Sequence, residues 1–314
     1  MRTVAGHAIA SETRRDAEIA VVVSEEAIKS TPMISTRDKY AKSRQMYNAD
    51  GSVSRQSTLS SASLAGWPYS LSYPEYSRIG APVDYVLAED LADNPGAYKL
   101  YIFQCCTMNT PALQRAAEKL RERNCTILWT YAPGFSSRRG NSLANMKALT
   151  GVDFVKCDGA FDPKVVLADG SEIGSTGSNL APLFAVKSPD RVYGQYANGA
   201  AGFAAAKTGR ATTVFSGTYR MEVPVLRTLA AEAGVHLYSG SLDPMEANER
   251  FFTLHARRAG KKTVRLRRKV DVVDVFNRRL VARGVDEFSF DAPLHSSWLF
   301  YCAEDAGELL GKLK

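Results

Sequence analysis

The apolar residues of this chain follow two regimes. From residue 16 to about 242, short β-branched runs alternate with stretches of helical spacing, and beyond about 243 only short strand-like runs remain. The first run, Glu18 to Val23, is apolar after its first residue and stops at Ser24, Glu25 and Glu26, as a strand buried on both faces does. A serine-rich polar segment from about Lys29 to Gly66 has too little apolar periodicity for a core element and is expected to be a long exposed insertion. A weak helix from Tyr69 to Ile79, closed by Gly80, leads to strands at Val83 to Ala88 and Tyr98 to Phe103. Thr110 and Pro111 then supply an N-cap and a first helical position, and Leu113, Ala116, Ala117 and Leu120 repeat at helical spacing. A strand at Thr126 to Tyr131 and a helix at Ser142 to Leu149 continue the alternation, which predicts a doubly wound parallel sheet.

Farther along, Arg191 to Tyr196, Asn198-Gly199 and Phe203 to Lys207 read as a hairpin, followed by a strand at Thr212 to Phe215. Val223, Leu226, Ala230 and Ala233 share one face of a helix ended by Gly234, after which Val235 to Tyr238 reads as one more strand. Strands expected at Phe251 to Ala256, Thr263 to Leu266, Val270 to Phe276, Glu287 to Phe290 and Ser297 to Tyr301 have no helical pattern between them. They predict a small antiparallel β domain over 243–314, behind an α/β domain at 16–242 and a lead-in at 1–15.

Composition changes this picture little, since 45% apolar and 23% charged residues in 314 are ordinary for a globular chain. The net charge of +7 is concentrated, with eight of the thirteen residues from Arg257 to Lys269 basic. Thr263, Arg265 and Arg267 alternate with Val264 and Leu266, and no aromatic residues interleave, so a solvated strand face is expected and nucleic acid is not. No apolar stretch approaches a membrane span and no secretory leader is evident, so a cytoplasmic protein without a membrane partner is expected. Five cysteines without a C-x-x-C pair, and scattered histidines, suggest neither disulfides nor a metal site.

Several segments resemble a known family. Arg78 to Leu91 (R-I-G-A-P-V-D-Y-V-L-A-E-D-L), Tyr98 to Phe103 and Leu128 to Gly134 are similar to the trimerisation domain of glycoside hydrolase family 42 β-galactosidases. Leu226 to Ser239, Ala247 to Ala256 and Asp271 to Phe276 are similar to the end of that domain and to the β-sandwich that closes such enzymes. The resemblance, over roughly 16–302, implies a flavodoxin-like or class I glutamine amidotransferase-like α/β domain followed by a β-sandwich. It also implies that the catalytic glutamates belong to an upstream barrel, which needs at least about 200 residues. The chain is thus expected to be an accessory portion of such an enzyme, partnered by copies of itself or by a chain carrying the barrel.

Active amidotransferases carry a nucleophilic cysteine at a strand-to-helix turn, which makes Cys106, beside Cys105, the candidate nucleophile. The flanking glycines and the late His-x-Glu pair of that class are missing, so an active thiol is not expected. Glu25, Glu89 and Asp90 fall at predicted strand ends, where a carboxylate dyad is conceivable, but acidic residues there are commonly caps. If a ligand binds, Glu25, Asp90, Cys106, Asn109 and Gly134 are expected to line its groove, and without a glycine-rich phosphate loop a neutral carbohydrate suits it better than a nucleotide. No cofactor is expected. Trp129 and Trp298 read as core residues and Trp67 as a loop residue.

Overall fold

The computed structural model describes residues 16–30, 44–47, 53–56, 72–157, 164–174, 182–306 and 309–311. Strands β1 (Ile19–Val23), β2 (Val83–Leu87), β3 (Leu100–Phe103) and β4 (Thr126–Thr130) belong to one nine-stranded sheet. It also contains β5 (Val165–Leu167), β6 (Glu172–Ile173), β7 (Arg191–Gln195), β8 (Phe203–Thr208) and β9 (Ala211–Ser216), in the spatial order β6-β5-β7-β8-β9-β4-β3-β1-β2. β2, β1, β3, β4 and β9 run parallel, whereas β5 to β8 pair antiparallel. The α/β class is as expected, but the sheet is mixed and not parallel throughout. The Asn198-Gly199 hairpin causes this, because a tight turn can only return the chain antiparallel.

Helix α1 (Glu25–Ser30) follows β1 and α2 (Ala88–Leu91) follows β2. Helix α3 (Pro111–Arg121) starts where its sequence signals lie: the Thr110 hydroxyl accepts from Leu113 N–H at 3.2 Å, Pro111 opens the first turn, and Leu113, Ala116, Ala117 and Leu120 are buried. Helix α4 (Leu143–Thr150) is capped by Ser142 and ends at left-handed Gly151, and α5 (Val223–Glu232) buries Leu226, Leu229 and Ala230. One continuous core from Ile19 to Val235 covers both faces of the sheet. Of the expected helix Tyr69 to Ile79, residues 72–76 are helical and 69–71 lie outside the described residues. Within the expected polar insertion, the described residues hold the end of α1 and a short hairpin, Arg44–Tyr47 with Val53–Gln56, and the remainder lies outside them.

The C-terminal strands β10 (Met245–Ala247), β11 (Phe251–His255), β12 (Gly260–Asp274), β13 (Arg279–Ala292) and β14 (Ser297–Ala303) form one antiparallel sheet in the order β10-β11-β14-β12-β13. The expected β-sandwich is this single sheet folded upon itself. Phe288 faces Val264 across the ladder and Phe300 faces Asp274, and a straight strand would separate Val264 from Asp274 by roughly 33 Å. Yet the Phe288 and Phe300 rings lie 4.9 Å apart, and Phe290 is 4.7 Å from Trp298. Between Val264 and Asp274 the register slips three times, from Arg265 to Val270, Val270 to Val272 and Val272 to Val273, and β12 merges two predicted strands. A second small cluster, Val273, Tyr301 and Leu309 among them, covers the outer face.

Val235 to Tyr238 is not a strand. Its backbone bonds are taken by tertiary partners: Tyr238 N–H donates to Gly80 O at 2.7 Å, Arg265 N–H to Tyr238 O at 2.7 Å, and His236 N–H to the Glu18 carboxylate at 2.7 Å. The basic run is correspondingly less solvated than its alternation suggests. Arg267 joins the two sheets, reaching Asp16 at 2.5 Å, Glu18 at 3.1 Å and the Tyr238 hydroxyl at 3.2 Å, while Lys99 lies 2.6 Å from Glu18.

Burial raises the Glu18 carboxyl, but Arg267, Lys99 and the His236 N–H outweigh it and bring the pKa down from 4.5 to about 2. A carboxyl held ionised by folding stabilises the fold fully above about 4.5, and that contribution is lost as pH falls towards about 2. Glu18→Gln is therefore expected to cost on the order of 2–3 kcal/mol at neutral pH and almost nothing near the acid limit, read by urea denaturation across pH. An equal loss at both ends would refute this assignment.

Candidate functional site

In an open α/β sheet, ligands gather at the carboxyl ends of the strands where the strand order reverses. Here that place lies between β1 and β3, flanked by Ser24 on one side and by Gln104, Cys105 and Cys106 on the other. The crevice is filled by the protein's own side chains, and these four residues are buried. Gln104 anchors the filling: its N–H donates to Val22 O at 3.3 Å, its amide nitrogen to Tyr219 O at 2.6 Å, and its amide oxygen accepts from the buried Tyr76 hydroxyl. Above it, buried Glu75 is held by Arg78 and by Arg220, each at 2.9 Å. Burial pushes the nearby Glu222 carboxyl up.

The backbone around this point is strained. Cys105, Tyr131 and Ala132 have φ of 49°, 33° and 48°, left-handed values that non-glycine residues avoid. Thr130 stabilises the turn, its hydroxyl accepting from Cys105 N–H at 2.9 Å and donating to Phe103 O at 3.3 Å. A strained cysteine after a central strand has the outline of a nucleophile elbow, but the chemistry does not follow. Burial pushes the Cys105 thiol up to about 12 and Cys106 well above its ordinary range, so neither forms thiolate at neutral pH. Cys106 Sγ sits 3.9 Å from Val22 O and 3.8 Å from Gln104 O. Of the three histidines among the described residues, His236 bonds to Arg265 O and His255 to Ser297, and the His295 ring stacks beside His255.

Of the groove residues, Cys106, Asn109 and Gly134 meet. Gly134 N–H donates to Cys106 O at 2.8 Å, Asn109 N–H to Ser136 O at 2.7 Å, and the Asn109 amide to Asn145 O at 3.0 Å, pinning α4 to this junction. A side chain at Gly134, where φ is +61°, would come within 2.7 Å of Leu149, which accounts for the glycine by packing. Glu25 and Asp90 stand exposed in the first turns of α1 and α2. Glu89 lies closer to the reversal point, one carboxylate oxygen 3.4 Å from Ser24 Oγ and the other buried without a hydrogen bond. Sequence reasoning missed Gln104, Tyr76, Glu75 and Arg220. A buried glutamine and an ion pair between residues far apart in the chain leave no periodic trace.

A cavity of about 450 Å³ opens at the opposite, amino-terminal edge of the parallel strands, beside the end of α5. Its charged lining is internally paired: Arg191 lies 3.1 Å from Glu232, the Tyr193 hydroxyl donates to Glu232 at 2.9 Å, and Lys207 N–H donates to Asp190 at 2.6 Å. The Tyr193 ring is engaged by the Arg191 guanidinium at 4.4 Å and stacks on Phe203 at 4.7 Å. Trp129 is buried against Phe103 and Trp298 packs on Phe290, while Trp67 lies outside the described residues. Among the described residues no group of three or more His, Cys, Asp or Glu side chains could hold a metal, and no helix is long and apolar enough to cross a membrane.

The fold as a whole has solved counterparts. The β-galactosidase of Bacillus circulans sp. alkalophilus superposes with a TM-score of 0.60 at 13% identity, over 93% of this chain and 42% of its own. The fold is that of part of a β-galactosidase. A family 42 β-galactosidase from G. stearothermophilus gives 0.59 at 16% identity, over 92% of this chain and 40% of its own. An α-L-fucosidase isoenzyme from Paenibacillus thiaminolyticus gives 0.52 at 12% identity, over 97% and 51%. This chain thus spans about two fifths of the β-galactosidases it resembles, as expected for a portion without the barrel. No protein-family profile and no curated protein sequence matches it.

Proposed function

We propose that this chain is the non-catalytic, oligomerising accessory portion of a β-galactosidase-type glycoside hydrolase. The observation that carries this reading is coverage: nearly all of the chain superposes on a β-galactosidase, yet on only about two fifths of that enzyme. The filled crevice between β1 and β3 adds support, since a fold that commonly holds a ligand there has closed it with Gln104 and Tyr76. Numbered along the chain, the parallel strands lie in the order 2-1-3-4-5, which favours a flavodoxin-like or amidotransferase-like α/β domain at 16–242, with 243–314 as the second domain. In this reading the edge bearing Glu25, Asp90, Asn109 and Gly134 is a structural junction.

The partner is a second copy of the chain or a glycosidase barrel. On edge strand β2, Tyr85 and Leu87 are 44% and 38% exposed, and Tyr73, 60% exposed, stacks on Tyr85 at 5.4 Å, an apolar surface suited to such a contact. The chain alone is expected to show no turnover of chromogenic β-galactosides and to self-associate in light scattering. Turnover abolished by Glu89→Gln or Asp90→Asn would overturn the non-catalytic reading. A monomer at every concentration, with or without added barrel, would overturn the oligomerising one.

A further inference from the structure

Two hairpin tips of the nine-stranded sheet share one backbone pattern. Between β5 and β6, Gly170 N–H donates to Leu167 O at 3.0 Å and Leu167 N–H to Ser171 O at 2.8 Å. Between β7 and β8, Gly199 N–H donates to Tyr196 O at 2.9 Å and Tyr196 N–H to Ala200 O at 3.0 Å. Gly170 and Gly199 both have φ of +81°, the left-handed value that closes such a turn, and nothing lies within 4 Å of where a Cβ would stand on either. The side chain before each glycine accepts from the N–H two residues on: Asp169 Oδ1 from Ser171 at 2.9 Å, and Asn198 Oδ1 from Ala200 at 3.1 Å. Asp169, Gly170, Asn198 and Gly199 are all exposed. The tips differ in the group beside the glycine, a carboxylate in one and a carboxamide in the other, and Asn198-Gly199 is the only Asn-Gly pair in the sequence.

From this juxtaposition we infer that Asn198 is a self-modification site, which converts to aspartate and isoaspartate through a cyclic imide while its twin Asp169 stays unchanged at neutral and alkaline pH. The Gly199 nitrogen gives its proton to water and bonds to Asn198 Cγ, the Cγ–Nδ2 bond breaks, and Nδ2 takes up a proton and leaves as ammonia. Water then opens the imide at either carbonyl, so asparagine and water become ammonia and the acid or its iso form. Glycine gives the attacking nitrogen no β-carbon to crowd the ring as it closes. As negative charge gathers on Oδ1 in the tetrahedral intermediate, the Ala200 N–H already donating there stabilises it as an oxyanion donor does. The bond from Gly199 N–H to Tyr196 O must open first, and a single turn bond at an exposed hairpin tip opens at small cost.

Asp169 has the poorer leaving group, because its carboxyl must be protonated before it can lose water. The Ser171 hydroxyl, at 2.6 Å, and the Ser171 N–H hold that carboxyl below its ordinary value. The two tips therefore respond oppositely to pH: reaction at Asn198 quickens as pH rises and the Gly199 nitrogen loses its proton, whereas reaction at Asp169 needs acid. The groups beside them are the Lys164–Glu172 ion pair, 2.8 Å apart on the strands flanking Asp169, and the uncharged Gln195 amide, which donates to Gly199 O at 2.9 Å. Isoaspartate at 198 would also lengthen the main chain between Tyr196 and Ala200, whose bond closes the hairpin.

The test holds the full chain in mildly alkaline buffer, labels isoaspartate with an isoaspartyl methyltransferase and a radioactive methyl donor, and locates it by peptide mass mapping. Label is expected at Asn198, faster as pH rises, ahead of the exposed Asn141 that precedes Ser142, and absent at Asp169. Asn198→Asp should lose the label. Asp169→Asn keeps the shape of the side chain and should make the first tip react as the second does. An unmodified Asn198, earlier conversion at Asn141, or an Asp169→Asn chain unlabelled at residue 169 would overturn the inference. None of these readouts depends on the accessory role proposed above.

Discussion

Lys262→Met is expected to destabilise the fold by about 3–5 kcal/mol. Lys262 and Asp243 form an ion pair at 2.6 Å with side chains only 6% and 3% exposed, so water can replace neither partner. Burial raises the Asp243 carboxyl, but Lys262, the Arg257 N–H and the Ser241 hydroxyl outweigh it and hold the carboxyl below its ordinary value. Methionine matches the lysine stem and leaves the carboxylate buried without a counter-charge. Urea denaturation at neutral pH is the measurement. The deficit should shrink in acid, where a protonated Asp243 needs no cation, and a loss below about 1 kcal/mol at neutral pH would show that the pair is hydrated in solution.

Gly80→Ala should cost about 2–5 kcal/mol, combining left-handed backbone strain with overpacking. Gly80 has φ of +93°, and an added Cβ would sit 2.5 Å from Ser239 O and 2.3 Å from Arg227 Nη1. Its carbonyl accepts from Tyr238 N–H, so this is where the chain leaving α5 is clasped before it enters the C-terminal sheet. Thermal melting reads the loss. Because Arg227 also donates to Ile79 O at 2.7 Å, Arg227→Ala should recover part of the steric cost but not the backbone strain. A fully restored melting point in the double variant would place the whole effect on the side chain.

The glycine at position 80 also shows where sequence reading stops. Its neighbours suggest a helix end, and a glycine serves there. The close approach of Ser239 O, contributed by a segment some 160 residues later, is what forbids any side chain. The same division holds across the molecule. Thr110 with Pro111, Ser142 and Gly151 announced their helix ends because capping is a contact within a few residues, and Ile19–Val23 announced a central strand because burial on both faces requires an unbroken apolar run.

What depended on distant partners was not legible. Val235 to Tyr238 has strand composition but gives its hydrogen bonds to Gly80, Arg265 and Glu18, so it forms no ladder. Alternation in β12 puts Lys262 on the same face as Val264, and only the fold supplies Asp243 to neutralise it there. Cys105 and Cys106 sat at a plausible turn, but whether their thiols could ionise rested on burial that several remote segments create. By itself the sequence determined the α/β core, the helix ends and the change to short strands near Asp243, since each rests on local periodicity or capping. The tertiary structure alone decided the spatial order of the strands, the fold-back of the C-terminal sheet, the closing of the crevice by Gln104 and Tyr76, and which cations of the basic run found a carboxylate. Those outcomes are set by contacts between residues far apart in the chain, and such contacts leave no period in it.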